Sequence, residues 1–223
     1  VGYHGQTLYH NPSEKISIII GDSQALANQT GIKVVNDFRS NDIAFGGQGA
    51  PLAPLYHHAL AIRDQKIPIA IVNCGGIANV TLIQSENPLD LIAFDTGPGN
   101  GLIDRLVRQR TNNTENMDFN GEYGKKGKIH EALLTTLYEK SISQKFQNYF
   151  LMPPPKSLDQ GDMALIPELD ELSLEDACAT LEAFTADTMV TSCIDLNSVL
   201  PTTWVLAGGG WKNPMIFQEF KNR

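Results

Sequence analysis

Two glycine turns, each closing an apolar strand, constrain this chain more than any other feature. Residues 67–79 (IPIAIVNCGGIAN) run on into residues 80–83, and residues 91–100 (LIAFDTGPGN) run on into residues 101–110. Gly75 and Gly76 allow a backbone turn to present its N–H groups with no Cβ in the way. Gly97, Pro98 and Gly99 lead the chain to a helix N-terminus, where orphan N–H groups and the macrodipole favour an anion. Asp95 stands beside that turn, placed to hold a Mg²⁺ ion or a metal-bound water. Together these features predict a nucleotide phosphate cradle.

At 223 residues the chain is long enough for one large domain or parts of two. A hydrophobic content of 42% with 19% charged residues is ordinary for a globular protein. The net charge of −8 argues against nucleic acid and anionic membranes as partners. Cys74, Cys178 and Cys193 show no CxxC spacing, so zinc and a disulfide framework are disfavoured and a reduced, cytoplasmic setting is expected. No apolar run nears the ~20 residues that span a bilayer, and the N-terminus carries no signal-peptide pattern. Val1 in place of Met, and a stop within a helical pattern at Arg223, lead us to expect an internal segment of a longer protein.

Along the chain, residues 16–20 read as a short buried strand, followed by a helix capped by Asp22 or Ser23 and closed by Gly31. Residues 33–36 read as a second strand, 37–49 as a polar loop and 51–63 as a helix. From Pro68 the rhythm becomes strand, tight turn, strand, strand, helix, so a domain boundary is expected near residues 64–67, dividing the chain into 1–66 and 67–223. Residues 129–140 read as a helix with Ile129, Leu133, Leu134 and Leu137 on one face. The prolines at 153–155 predict a stiff extended segment outside the core. Residues 175–196 read as a helix with Ala177, Leu181 and Phe184 on one stripe. Residues 203–207 read as a strand, followed by Gly208-Gly209-Gly210 and a helix starting near Asn213-Pro214. The pattern is α/β and fits the actin-like ATPase (ribonuclease H-like) architecture, two domains with a nucleotide cleft between them.

The segments GYHGQT (residues 2–7), IIIGDSQALANQTGIKVVNDFRSNDIAFGGQGAPLAP (18–54), VNCGGIANVTL (72–82), FDTGPGN (94–100), PPPKS (153–157) and AGGGWKNP (207–214) occur in this order. The set resembles the bacterial anhydro-N-acetylmuramic acid kinases of the hexokinase–Hsp70–actin superfamily, over essentially the whole chain. DFRxxD followed by GGQGAPL is the specific part of the signature. The resemblance implies an ATP- and Mg²⁺-dependent kinase that opens 1,6-anhydro-N-acetylmuramic acid with water and phosphorylates O6, giving N-acetylmuramic acid 6-phosphate in cell-wall recycling. Its partners would be the amino sugar and ATP, with a homodimer left open. By the same comparison, a phosphate loop of GxMSGTSxDG type would lie before Val1, leaving the first domain incomplete, and a final helix would follow the GGG unit. Where the family continues TGRE after PPPKS, this chain has Leu158-Asp159-Gln160.

The resemblance assigns the site residue by residue. Asp42, the last residue of DFRxxD, is the expected base that activates water, with Asp37 second and Arg39 holding or orienting the carboxylate; a helix cap or a loop ion pair is the alternative. His4 and Gln6 are expected at the sugar, Gln6 offering both a donor and an acceptor, or they are ordinary loop hydrogen-bonders. Gln48, in the Gly46–Gly49 turn, either helps to hold the N-acetyl or lactyl group or lies in a flexible turn. Gly75, Gly76 and Asn79 form the phosphate hairpin, or else a plain β-hairpin. Asp95, Thr96, Gly97, Gly99 and Asn100 surround the phosphates, with Asp95 the metal-binding carboxylate. Asp104 either reaches the same cleft or is a solvated helix residue. Gly208, Gly209 and Gly210 admit the base or ribose, or make a short packed turn. Lys156 meets the sugar carboxylate or is a surface lysine. His10, His57, His58 and His130 show no metal spacing and read as structural or solvated, and both tryptophans read as packing residues. The competing functions are a different actin-like sugar kinase acting on a free hydroxyl, and a truncated nucleotide-binding segment without turnover.

Overall fold

The computed structural model describes residues 1–146, 148–194 and 200–223. The chain parts into two compact units, Val1–Ala53 and Pro54–Arg223. The first unit is built on an antiparallel pair, β1 (Gln6–Asn11) with β2 (Ile16–Ile20), closed by a tight turn at Pro12–Glu14. The isoleucines of β2 were expected to be buried. Instead Ile16, Ile18 and Ile20 are 41–52% exposed, because a two-stranded sheet leaves both faces without a covering layer. Helix α1 (Ser23–Thr30) starts where expected, Asp22 accepting from the Ala25 N–H at 2.8 Å, and it ends on Gly31 in the left-handed conformation. Residues 33–36 form no strand; Val35 makes a single parallel bridge to Gly2. The expected loop at 37–49 contains a short helix, α2 (Ser40–Ala44).

In the second unit α3 (Ala53–Arg63) leads into β3 (Ile69–Cys74), β4 (Ile77–Ile83) and β5 (Ile92–Pro98), the strand–turn–strand–strand order read from the sequence. With β6 (Thr203–Ala207) they make one sheet of order β5-β4-β3-β6. β3 pairs antiparallel with β4 and parallel with β6, and β4 pairs antiparallel with β5. The carboxyl ends of β3, β5 and β6 therefore share one edge of the sheet.

Period-two alternation sorts the β3 and β4 side chains onto two faces. Ala70, Val72, Cys74, Ala78, Val80 and Leu82 pack into the main core. Ile69 and Ile83 meet Ala61 of α3 on the other side. The main core is completed by α4 (Gly101–Arg110), α5 (Glu131–Lys140), α6 (Leu174–Ile194) and α7 (Pro214–Asn222). The expected end of α6 at Leu196 lies outside the described residues. Nor is its buried surface one stripe: residues 177–186 are all buried, and a helix enclosed by other elements needs apolar or hydrogen-bonded groups all round. Trp204 and Trp211 pack edge-on against Phe220, as structural residues. No helix among the described residues is long and apolar enough to cross a membrane.

Candidate active site

At the shared edge of the second unit's sheet, three glycine turns close on one another. The amides of Gly99 and Gly101 donate to the Gly76 carbonyl, both at 3.1 Å, and the Asn100 amide donates to the Gly75 carbonyl at 2.8 Å. Amides expected to face an anion at the start of α4 thus hold the β3–β4 hairpin tip against the β5–α4 turn. Backbones can approach this closely only without side chains: a Cβ on Gly99 would lie 2.0 Å from the Gly75 carbonyl oxygen. The third turn joins from β6. Gly208 has φ +98°, and a Cβ there would lie 2.4 Å from the Cys74 carbonyl oxygen. Gly210 is buried over the Cys74 sulfur, whereas Gly208 and Gly209 are exposed. Enclosure pushes the Cys74 thiol up to about 12, which keeps it protonated and inert.

Asp95 sits on β5 opposite Asn79 of β4, next to an irregularity in the strand register. It is half-buried, and its carboxylate accepts from the Leu158 N–H at 2.8 Å. Burial, helped by the nearby Asp159 charge and opposed by the Leu158 N–H, raises its pKa to about 6. Thr96 is fully buried, its hydroxyl donating to the Ala78 carbonyl at 3.3 Å, so it faces the sheet interior and not the turn. Asn100 donates through Nδ2 to Asp104 at 2.7 Å. Asp104 is half-buried rather than solvated, and burial raises its pKa as well.

Lys156 is not a surface lysine. It is 9% exposed, and its Nζ donates to the Tyr149 and Phe150 carbonyls at 3.1 and 3.3 Å over the rings of Phe94 and Tyr149. Leu158 is buried too, so part of the proline-bearing segment belongs to the core after all: Tyr149, Ile142 and Leu158 form a small apolar cluster of their own.

In the first unit, the Asp42 carboxylate accepts from the Gly49 N–H at 2.7 Å and closes the Gly46–Gly49 turn. A Cβ on Gly47 would fall 2.1 Å from Asp42 Oδ2. Asp37, at φ +53°, accepts from the Ser40 hydroxyl at 2.5 Å and from the Ser40 N–H at 3.4 Å, steadying the start of α2. His4 Nδ1 lies 2.9 Å from the Gly5 carbonyl, which can only accept, so Nδ1 carries the hydrogen. Nε2 is left to accept from Arg39 Nη2 at 3.3 Å. Arg39 is therefore joined to His4 rather than to Asp37 or Asp42. Gln6 donates through Nε2 to the Thr7 carbonyl at 3.4 Å. Gln48 is exposed, and its carbonyl accepts from His10 Nε2 at 2.9 Å.

Sequence reasoning missed Tyr149, whose hydroxyl donates to the Asp95 carbonyl at 2.6 Å, and Gln160, whose amide lies over Gly76. It also missed Arg105, which secures that stretch through the Met163 and Gln160 carbonyls at 2.6 and 3.1 Å. These contacts join residues 54 to 84 positions apart, beyond any local pattern. Among the described residues no group of three or more His, Cys, Asp or Glu side chains is placed to hold a metal ion. Mg²⁺ fits this edge nonetheless, since it is commonly held by one or two carboxylates, its own waters and substrate phosphates.

The family model for anhydro-N-acetylmuramic acid kinase matches residues 1–223. The chain is 44% identical over its whole length to the anhydro-N-acetylmuramic acid kinase of Phenylobacterium zucineum and 39% identical to that of Rhodopseudomonas palustris, covering 58% of each. It thus spans little more than half the length of these curated relatives. Among solved structures it is similar to component A of the (R)-2-hydroxyglutaryl-CoA dehydratase of Acidaminococcus fermentans, with a TM-score of 0.46, 12% identity and coverage of 88% of this chain and 70% of that one. From its match to the family model along its full length, the chain belongs to the anhydro-N-acetylmuramic acid kinase family.

Proposed function

We propose that this chain serves an ATP-dependent sugar kinase of the cytoplasm, within an actin-like two-domain architecture in which residues 67–223 form the nucleotide-binding domain and residues 1–66 belong to the sugar-bearing one. The substrate is 1,6-anhydro-N-acetylmuramic acid. Water adds its oxygen to the anomeric carbon and gives a proton to a carboxylate base, the C1–O6 bond breaks, and O6 takes the γ-phosphoryl group of ATP. The products are ADP and N-acetylmuramic acid 6-phosphate, which would return cell-wall sugar to metabolism. The observation that carries the reading is the convergence of the Gly75-Gly76, Gly97–Asn100 and Gly208–Gly210 turns at the carboxyl ends of β3, β5 and β6, together with the family match. Ligands of α/β sheets bind outside the carboxyl ends of strands. Asp95 and its neighbours would hold Mg²⁺, which neutralises phosphate charge when bound.

For the base, Asp42 is the first reading, by its place in DFRxxD. Asp37 is the second reading; its carboxylate accepts from the Ser40 hydroxyl and N–H at the start of α2. The deciding experiment incubates ATP and the anhydro sugar in ¹⁸O-labelled water and reads the product by mass spectrometry at early times, before the C1 hydroxyl exchanges with solvent. A 6-phosphate product with ¹⁸O at C1 is expected. Phosphorylation without the label would make this a kinase for a free hydroxyl, and no nucleotide binding at all would overturn the reading.

A further inference from the structure

The backbone N–H, the backbone carbonyl and one carboxylate oxygen of Asp95 are all bonded by one downstream segment. Its N–H donates to the Lys156 carbonyl at 3.1 Å, its carbonyl accepts from the Tyr149 hydroxyl at 2.6 Å, and its carboxylate accepts from the Leu158 N–H at 2.8 Å. We propose that Tyr149 and Lys156 are positioning residues for Asp95, fixing where its carboxylate points at the glycine edge of the sheet. The inference rests on the reading above that Asp95 serves the reaction.

The geometry is that of a strap with a buckle. β5 is an edge strand, so the main-chain groups of Asp95 facing away from β4 would otherwise go to water. The strap fills that edge, and Lys156 closes it on itself: Nζ bonds back to the Tyr149 and Phe150 carbonyls and lies 4.9 Å from the centre of the Tyr149 ring. Tyr149 is 2% exposed, packed edge-on against Phe146 and Phe150, so its hydroxyl has little freedom to leave Asp95. Burying a lysine is costly, and burial lowers the pKa of Lys156. A buried ammonium that serves only to fold a loop could be replaced by an apolar residue with little loss. Here it also bonds to the main chain of Tyr149, the residue whose hydroxyl holds Asp95. Supporting groups of this kind matter because a displacement of about 1 Å at a reacting carboxylate costs on the order of 10²-fold in rate.

The test is a double-mutant cycle in the intact enzyme, assayed with MgATP and 1,6-anhydro-N-acetylmuramic acid. Tyr149→Phe removes one oxygen and keeps the ring. It should lower kcat about tenfold with little change in KM for ATP, and in an Asp95→Asn background it should lower kcat no further. Lys156→Met, which keeps most of the stem, should behave in the same way and serves if Tyr149→Phe does not fold. If Asp95→Asn lowers turnover to a residual rate and the Tyr149 and Lys156 losses multiply with it, or change only the melting temperature, the positioning role is refuted while the functional reading stands. If Asp95→Asn keeps near-normal turnover, the functional reading of Asp95 fails and the positioning role falls with it.

Discussion

Single carboxylates in this chain differ in what they are already bonded to, and that decides what each can offer a substrate. Asp42 holds a turn through the Gly49 N–H, and an asparagine oxygen could accept the same bond. Asp42→Asn should therefore leave the fold intact. If Asp42 is the base, it should lower turnover by about 10²–10⁴-fold while leaving ATP binding nearly unchanged. Asp95→Asn, measured by the same assay, should instead raise the Mg²⁺ concentration needed for turnover, as expected of a carboxylate that holds the metal or its waters; an unchanged Mg²⁺ dependence would return Asp95 to a structural role. Glycines at the sheet edge make a different kind of prediction. Gly99→Ala places a methyl group 2.0 Å from the Gly75 carbonyl oxygen, so the two turns must part. A loss of at least about 2 kcal/mol in denaturant unfolding is expected, together with loss of nucleotide binding by calorimetry. Normal ATP affinity in a well-folded Gly99→Ala protein would show that the closed turns are not the cradle.

Elements were legible in the sequence where a local pattern defines them. The β-branched run before Gly75-Gly76, the strand at Thr203–Ala207 and the Asn213-Pro214 start of α7 all formed as read, because hairpin glycines and N-caps act on adjacent residues. What failed was inference about neighbours. The alternating isoleucines of β2 say that it is a strand but not what covers it. The stripe read on α6 missed burial on the opposite side, including Glu182. That side chain is fully enclosed: Oε1 accepts from Asn213 Nδ2 at 2.6 Å, and Oε2 lies over Gly124 beside Asp118. Burial first, then Asp118 and Glu219, raise its pKa to about 9 against the pull of Asn213. The folded state thus keeps a proton that the unfolded chain releases near its ordinary value of about 4.5. Stability from this group is whole below that value and declines as pH rises towards about 9, by up to about 1.4 kcal/mol per pH unit. Glu182→Gln mimics the protonated form. Urea unfolding across this window should show a flatter pH dependence than the parent, with greater stability at the alkaline end; parallel curves would mean that Glu182 is ionised in the fold.

On the scale of the whole molecule, apolar burial is unevenly shared between the two units. Ile43 is the only buried hydrophobic residue among the described residues of Val1–Ala53, whereas Pro54–Arg223 holds three apolar clusters around a four-stranded sheet. A two-stranded sheet with exposed faces is marginal alone, and a sheet sandwiched between helices is not. Phe45, 87% exposed at the end of α2, offers a proteolytic site within the first unit, ahead of the boundary at Ala53. Brief chymotrypsin treatment should therefore cut near Phe45 and leave a resistant fragment that contains Pro54–Arg223. That fragment should melt cooperatively and keep its far-ultraviolet circular dichroism, while the released N-terminal piece loses structure. Degradation of both parts at equal rates would show that the second unit depends on the first for its stability. Survival of a folded second fragment that still binds MgATP would place the glycine edge and its Asp95 strap within a unit able to hold nucleotide by itself.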